Sequence, residues 1–247
     1  MLSHNEQKLI RSLVHNKYRQ RHQLFVAEGH KVIETISTRY KPVKVFATEE
    51  TADRIVAPSV SPTIVTPREL QQVSNLQHPQ GMLALFPLPA TIYTPFPPQL
   101  TLALDAIQDP GNLGTIIRIA DWFGIQHIVC SQDTADAYAP KAIQATMGSI
   151  AHVDIQYTDL PQWLDSLPDD FPAFATTLDG DNLYEAQLPA NAVIVMGNEG
   201  NGVSQEVQQR LSKKLYIPSY NNQEKGAESL NVAMATAIIC AEWRRRG

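Results

Sequence analysis

Val193-Ile194-Val195-Met196-Gly197-Asn198-Glu199-Gly200-Asn201-Gly202 joins a four-residue apolar run to a turn containing three glycines. The run has the form of a strand buried on both faces, and the stretch after the turn, 204–212, reads as a helix. Two more blocks hold the same position between a strand-like and a helix-like run: Asn112-Leu113-Gly114-Thr115-Ile116-Ile117-Arg118 and Ser229-Leu230-Asn231-Val232. In a sheet of βα units such turns gather at one edge, the carboxyl ends of the strands, where these folds place their ligands. The three blocks therefore predict a single site.

Outward from these blocks, strand-like runs at Leu100–Ile107, His127–Ser131, His152–Tyr157, Ala173–Leu178, Ala192–Met196 and Lys214–Pro218 alternate with other runs. Those others are helix-like stretches at 112–123, 139–149, 159–167, 204–212 and about 229–245. This alternation predicts an α/β fold, a parallel doubly wound sheet with helices on both faces. Upstream, Pro87-Leu88-Pro89 and Thr94-Pro95-Phe96-Pro97-Pro98 bound a stretch unable to sustain a helix or a central strand. The chain is divided there into residues 1–94 and 95–247. In the first part, 5–14 and Gly29–Ser37 read as helices, and Leu24–Ala27, Val43–Phe46, Thr63–Val65 and Met82–Phe86 as strands, which makes a small α/β domain.

The 247 residues carry a net charge of −5, which alone argues against a nucleic-acid partner. Its distribution argues the other way. Residues 1–47 hold nine Lys and Arg against Glu6, Glu28 and Glu34, whereas 100–200 hold only Arg118 and Lys141 against fourteen Asp and Glu. A basic module joined to an acidic one suggests that the first meets a polyanion, a solvated helix face being the plainer alternative. No run approaches the roughly 20 apolar residues of a membrane span, and Met1–Glu6 lacks the form of a secretion signal. A cytoplasmic location follows as the expectation. Cys130 and Cys240 have no C-x-x-C pattern and read as reduced core residues. The seven histidines show no H-x-x-x-H spacing, so no metal is expected.

Block by block, Asp109-Pro110-Gly111 reads as a turn after which Asn112 can cap a helix. Arg118 suits a phosphate or carboxylate, or else a surface pair with Asp121. The order G-x-x-G-x-G fits neither a Walker loop nor a dinucleotide fingerprint. Glu199 in its centre repels phosphate and suits a cationic or hydroxyl-bearing partner. Ser229 and Asn231 present short polar groups at a helix start, where simple capping accounts for one of them but not easily both. The small and apolar residues that follow predict burial on most sides, in a core or across a dimer interface.

Together, N-x-G-x-x-x-R, G-N-E-G-x-G and I-P…S-L-N-V resemble the SpoU family of RNA ribose 2′-O-methyltransferases, part of the SPOUT superfamily. The resemblance covers about 100–247. The first domain more loosely resembles the ribosomal-protein-like RNA-binding module attached to many members. It implies a sheet whose C-terminal segment forms a trefoil knot, S-adenosylmethionine bound among the knot loops, and a homodimer with the site near its interface. By resemblance, Gly197, Ile217 and Leu230 contact the cofactor, Thr176 and Thr177 line its pocket, and Asn112, Arg118, Glu199, Ser229 and Asn231 occupy the functional polar positions.

The chemistry so implied is methyl transfer to a ribose 2′-hydroxyl, on family analogy in ribosomal rather than transfer RNA. A guanidinium is a poor base, so Arg118 is read as an anchor for RNA phosphate and a stabiliser of the developing alkoxide. A non-catalytic RNA-binding protein with the same fold is the alternative, although it need not keep all five polar positions. One departure stands out: Ser219–Glu228 is longer than the corresponding loop of the best-known members, which leaves its contacts open.

Overall fold

The computed structural model describes residues 1–54, 60–90, 99–221 and 228–246. They form two compact units, Met1–Ala90 with Asp136–His152, and Thr91–Ala135 with Val153–Gly247. Of the proline-rich stretch, Thr94–Pro98 lies outside the described residues, while Pro87 ends a strand.

In chain order the first unit begins with helices α1 (His4–Ser12) and α2 (Asn16–His22), strand β1 (Leu24–Glu28) and helix α3 (His30–Ser37). Strand β2 (Lys44–Ala47), helix α4 (Glu49–Ala52), strand β3 (Thr63–Ile64), helix α5 (Pro67–Val73) and strand β4 (Met82–Pro87) follow. The sheet order is β1-β4-β2-β3, with β4 antiparallel to both neighbours and β3 parallel to β2. Alternation along the strands serves two faces. Val26, Phe46, Leu83 and Leu85 join Ile10, Leu13, Leu70 and Val73 of α1 and α5 and their ends in one core. Phe25 and Phe86, stacked with centroids 5.6 Å apart, face the other way, and Phe25 meets Tyr138 at 5.2 Å. Serine and threonine capping boxes, Ser3 with Glu6 and Thr66 with Glu69, start α1 and α5.

Helix α2 is absent from the sequence expectation because no apolar period runs through Asn16–His22. A buried arginine accounts for it. Arg19 is 2% exposed, donates from Nη1 to the carbonyls of Leu13 (2.7 Å) and Val14 (2.8 Å), and pairs through Nε and Nη2 with Asp136 at 3.1 and 2.5 Å. The guanidinium thus satisfies carbonyls left open at the end of α1 and meets a counter-ion from residues 136–152. Gln23, at φ 52°, ends α2 and turns the chain into β1.

The second unit contains β5 (Thr101–Leu104), α6 (Pro110–Trp122) and β6 (His127–Ser131). The chain then supplies helix α7 (Pro140–Thr146) and a 3₁₀ turn (Ser149–Ala151) to the first unit. It returns as β7 (Asp154–Thr158), α8 (Leu160–Asp165), β8 (Ala173–Asn182), β9 (Val193–Met196), α9 (Gln205–Gln208), β10 (Lys213–Tyr216) and α10 (Val232–Arg246). All six strands are parallel, in the order β10-β8-β9-β5-β6-β7. Ala103, Val129, Ala175, Val193 and Val195 pack with Trp163, Leu164 and Val207 of α8 and α9. Phe174, pointing to the opposite face, meets Trp243 of α10 edge-on at 5.1 Å. Helices therefore cover both faces.

Several boundaries differ from expectation. The run read as one helix over 139–149 breaks after α7, where Met147 and Gly148 take φ of 52° and 99°. Strand β5 stops at Leu104, and β8 continues to Asn182 past a register shift against β10 between Lys214 and Leu215. Within one chain, helix α10 buries Val232, Ala233, Thr236, Ile239, Cys240, Glu242 and Trp243 on one side and leaves Met234 56% exposed. Cys130 and Cys240 are free and buried, as expected. Of the lengthened loop, residues 222–227 lie outside the described residues, and Ser219–Asn221 and Glu228 are exposed. No helix among the described residues is long and apolar enough to cross a membrane.

Arg19→Met should leave Asp136 Oδ2 and two carbonyls without the guanidinium and lower stability by about 3 kcal/mol. Urea unfolding followed by circular dichroism measures this, and an unchanged midpoint would show that α2 is held by something else.

Candidate active site

Helix α6 begins earlier than the sequence suggests. Asp109 is its cap, accepting the Asn112 N–H at 2.9 Å, and Pro110 takes the first helical position, where its missing N–H costs nothing. Asn112 is therefore released from capping. Its Nδ2 donates to Glu199 Oε1 at 2.6 Å, and its Oδ1 accepts from Asn231 Nδ2 at 3.0 Å. Asn231 in turn caps α10, its Oδ1 accepting the N–H groups of Ala233 (3.0 Å) and Met234 (3.3 Å). The direction of this relay is dictated from its ends. Backbone N–H groups can only donate, so Asn231 must turn its oxygen to them and its NH₂ to Asn112, whose own NH₂ is left to face a carboxylate. Ser229 is exposed and forms no hydrogen bond among the described residues, so capping falls to Asn231 alone.

The turn carrying Glu199 is held by its glycines and by Asn198. A β-carbon at residue 197 would lie 2.2 Å from both the Gly202 carbonyl carbon and the Val203 nitrogen, so only glycine fits there. Gly202 sits at φ 67°, which favours glycine for conformation rather than space. Asn198 Nδ2 donates to the Ala106 carbonyl at 2.8 Å, and its Oδ1 accepts the N–H groups of Gly200 (2.9 Å) and Asn201 (3.1 Å). Asp105 accepts the Ser204 N–H at 2.7 Å. Neither Asn198 nor Asp105 is among the residues singled out by sequence. The Asn two residues before a glycine is a legible Asx-turn signal, whereas Asp105 is hidden in a run read as strand throughout.

The remaining candidates distribute along the same edge. Thr176 follows Ala175, which pairs with Val195, and its hydroxyl donates to the Val195 carbonyl at 2.9 Å, one strand from Gly197. Thr177 bonds its hydroxyl to the Asp179 carbonyl. Ile217, half-buried, follows the end of β10, and Leu230, 51% exposed, precedes α10. The ends of β10, β8 and β9 are adjacent in the sheet order. Arg118 is exposed on α6 and makes no ion pair or hydrogen bond among the described residues, so neither the Asp121 pair nor contact with the relay is present. Asn112, Glu199 and Asn231 are thus joined directly, while Arg118 and Ser229 stand apart from them.

A cavity of about 860 Å³ opens at the ends of β5, β6, β7 and β9, lined by Asp105, Asp133, Asp159 and Glu206 among others. Four carboxylates against the single Arg210, itself paired with Asp165, make it unfavourable to phosphate. Neither cysteine can serve as a nucleophile, because burial pushes the Cys240 thiol up to about 12 and the Cys130 thiol further. Among the described residues no three His, Cys, Asp or Glu side chains cluster in a manner suited to a metal ion. Thr176 and Thr177 within β8, the turn after β9, and the aliphatic Ile217 and Leu230 line this edge, with the Glu199 carboxylate in the same turn as Gly197. With Glu199 beside it, this edge suits a cationic or hydroxyl-bearing ligand better than a polyphosphate.

Residues 99–241 match the SpoU rRNA methylase family, and residues 5–84 match an MRM3-like substrate binding domain. The chain is 38% identical over 141 residues to the 23S rRNA (guanosine(2553)-2′-O)-methyltransferase RlmP of Bacillus subtilis, a match covering 56% of this chain and 55% of that protein. The match thus spans about half the length of that curated relative. A TrmH-family protein from Porphyromonas gingivalis shares the structure with a TM-score of 0.91 at 39% identity, over 100% of both chains. The AdoMet-bound rRNA methyltransferase from Sinorhizobium meliloti follows at 0.83 and 28% identity, over 100% of this chain and 97% of that one.

Asn231→Ala should remove the α10 cap and lower stability by about 1 kcal/mol, while Ser229→Ala should leave it unchanged. Equal urea midpoints for the two variants would show that Asn231 does not cap the helix.

Proposed function

The chain belongs to the SpoU rRNA methylase family, and from that premise we propose that it methylates a ribose 2′-hydroxyl in structured RNA, with S-adenosylmethionine as methyl donor. The observation that carries the reading is the Asn231–Asn112–Glu199 relay, set beside the Gly197 turn at the carboxyl edge of a parallel sheet. Ribosomal RNA is the proposed substrate class, in line with the rRNA methyltransferases it resembles. The cytoplasm is the proposed location. Residues 1–94 would bind RNA, and 95–247 would hold cofactor and ribose.

S-adenosylmethionine, when bound, supplies a methyl group already activated on a sulfonium. Thr176, Thr177, Gly197, Ile217 and Leu230 are the residues proposed to hold it, largely through backbone and aliphatic surface within β8, after β9 and β10 and before α10. The chain's remaining task is to orient the hydroxyl and handle its proton. Asn112 and Asn231 lock one another's amides, so Glu199 is held on one oxygen, Oε1, and keeps Oε2 for a hydroxyl-bearing partner. Ser229 is a second polar group at the same helix start, without a partner among the described residues. Arg118, fully charged and exposed, anchors an RNA phosphate and stabilises negative charge on the attacking oxygen. The proton passes to phosphate, water or a neighbouring group.

A homodimer and the trefoil knot complete the proposal. Trp122 is 84% exposed one helical turn beyond Arg118, and Met234 is exposed on α10, which packs against α6. An interface burying these side chains would bring Arg118 to its margin. The knot would involve the residues that follow β10 and those that precede α10, Ile217 and Leu230 among them.

Incubation with S-adenosylmethionine tritiated on its methyl group should label ribosomal RNA from cells lacking the protein. A 2′-deoxy substitution at the target nucleotide should abolish the labelling. Failure to label any RNA would favour a non-catalytic binder. Arg118→Ala should lower turnover by about 100-fold or more while cofactor binding, read by calorimetry, stays within a factor of about two of wild type; undiminished turnover would remove Arg118 from the mechanism.

A further inference from the structure

Helix α2 carries a surface that the methyl-transfer reading does not use. At about 100° per residue, Lys17 and Arg21 lie on the side of the helix opposite the buried Arg19. Both are exposed, and among the described residues neither meets a carboxylate. The nearby acids are already engaged. Glu6 pairs with Lys44 and accepts from Ser3, and this holds its carboxyl near 2. Glu28 is buried and accepts from Ser74 and Asn75, and Glu69 accepts from Thr66 and Leu2. From Gln7 to Ala27 the chain contains no acid at all.

Beside the two cations runs a row of rings. His15, Tyr18 and His22 follow one another with centroids 6.4 Å apart at each step, and Tyr18 and His22 are nearly parallel, with 18° between their planes. His15 and His22 are exposed and Tyr18 is half-buried. Arg19 makes the ridge rigid, since its four donated bonds tie α2 to the end of α1 and to Asp136. Ordered rings beside unpaired cations are what unpaired nucleotides require: π faces for bases and point charges for phosphates. Duplex RNA would use the cations and leave the rings idle.

We propose that the α2 ridge, Lys17 and Arg21 with Tyr18 and His22, binds unpaired nucleotides of the RNA substrate, phosphates on the cations and a base on the rings. This rests on the reading that the protein acts on RNA. It adds a class of RNA feature, a loop or single-stranded segment, and the surface that holds it.

The test uses the full chain without cofactor and two fluorescein-labelled probes, a 12-nucleotide oligo(A) RNA and a 12-base-pair RNA duplex. The Lys17→Ala/Arg21→Ala variant should bind oligo(A) about 10-fold more weakly and reduce the slope of log K against log salt by about 1.4, two single-strand phosphate contacts. Tyr18→Ala should weaken oligo(A) by about 10-fold with an unchanged slope, and Tyr18→Phe should bind like wild type. Thermal midpoints identify any variant that fails to fold, and the exposed Lys17 and Arg21 keep the test standing if Tyr18→Ala does.

Wild-type affinity in the double variant, or a loss confined to the duplex, would overturn the proposal. So would a Tyr18→Ala variant, folded, that binds oligo(A) normally. Tritium transfer to ribosomal RNA by the wild type separates the two levels. If transfer occurs and the variants bind normally, only the ridge falls; if wild type neither transfers nor binds, the RNA reading falls with it.

Discussion

The peptide joining Gly202 to Val203 occupies the space that a side chain on residue 197 would need. This close approach sets the shape of the turn after β9, because the backbone can fold back on itself there only without a β-carbon. Once the turn is closed, Asn198 can bridge to Ala106 and gather the N–H groups of Gly200 and Asn201, and Glu199 emerges at a fixed point. Glu199 then defines where Asn112 must point, and Asn112 defines Asn231. A helix cap at one end and a carboxylate at the other leave the amides one consistent orientation. The arrangement is thus a directed chain of donors, and a disturbance at any link is passed to the next.

Much of this was legible in the residues. Apolar runs of the length and composition of buried strands marked β5, β6 and β9, because a strand buried on both faces leaves that mark in sequence, whereas the edge strands β7 and β10 bury one residue each and leave a weaker one. The turns that follow them were legible too, through their glycines and short polar residues. What escaped depended on contacts distant in sequence. Asp109 and Asn112 are both good caps, and only the start of α6 at Pro110 decides between them. That choice converts Asn112 from a local cap into a link across 87 residues to Glu199. Helix α2 escaped for the same kind of reason, since a polar segment with one buried arginine has no periodicity to read. The place of Arg118 was legible as a motif position only; its exposure on α6 and its lack of an ion partner among the described residues come from the fold.

Electrostatics divides the protein as the sequence suggested, but the division is finer than a count of charges. Part of the positive charge in the first 47 residues is spent internally: Arg19 on Asp136, Lys44 on Glu6, Arg11 on the Gln72 carbonyl, and Arg39 on that of Ala151. The remainder is concentrated on fewer side chains, so a given cation counts for more. In the larger unit, acids line the cavity beside the glycine turn, while the relay holds a single carboxylate in a network of neutral amides. Repulsion of phosphate from the one region and tolerance of a cation in the other are compatible within a few residues of chain.

The counter-ion of Arg19 comes from residue 136, far beyond the proline-rich stretch, and α7 packs on β1 from the same segment. The first unit is therefore discontinuous: the chain leaves it, builds two strands and a helix elsewhere, and comes back. A recombination event that exchanged the amino-terminal module at the prolines would carry Arg19 without Asp136. Inheritance of the two parts is consequently linked, and a graft of the module onto another scaffold would have to bring residues 136–152 with it.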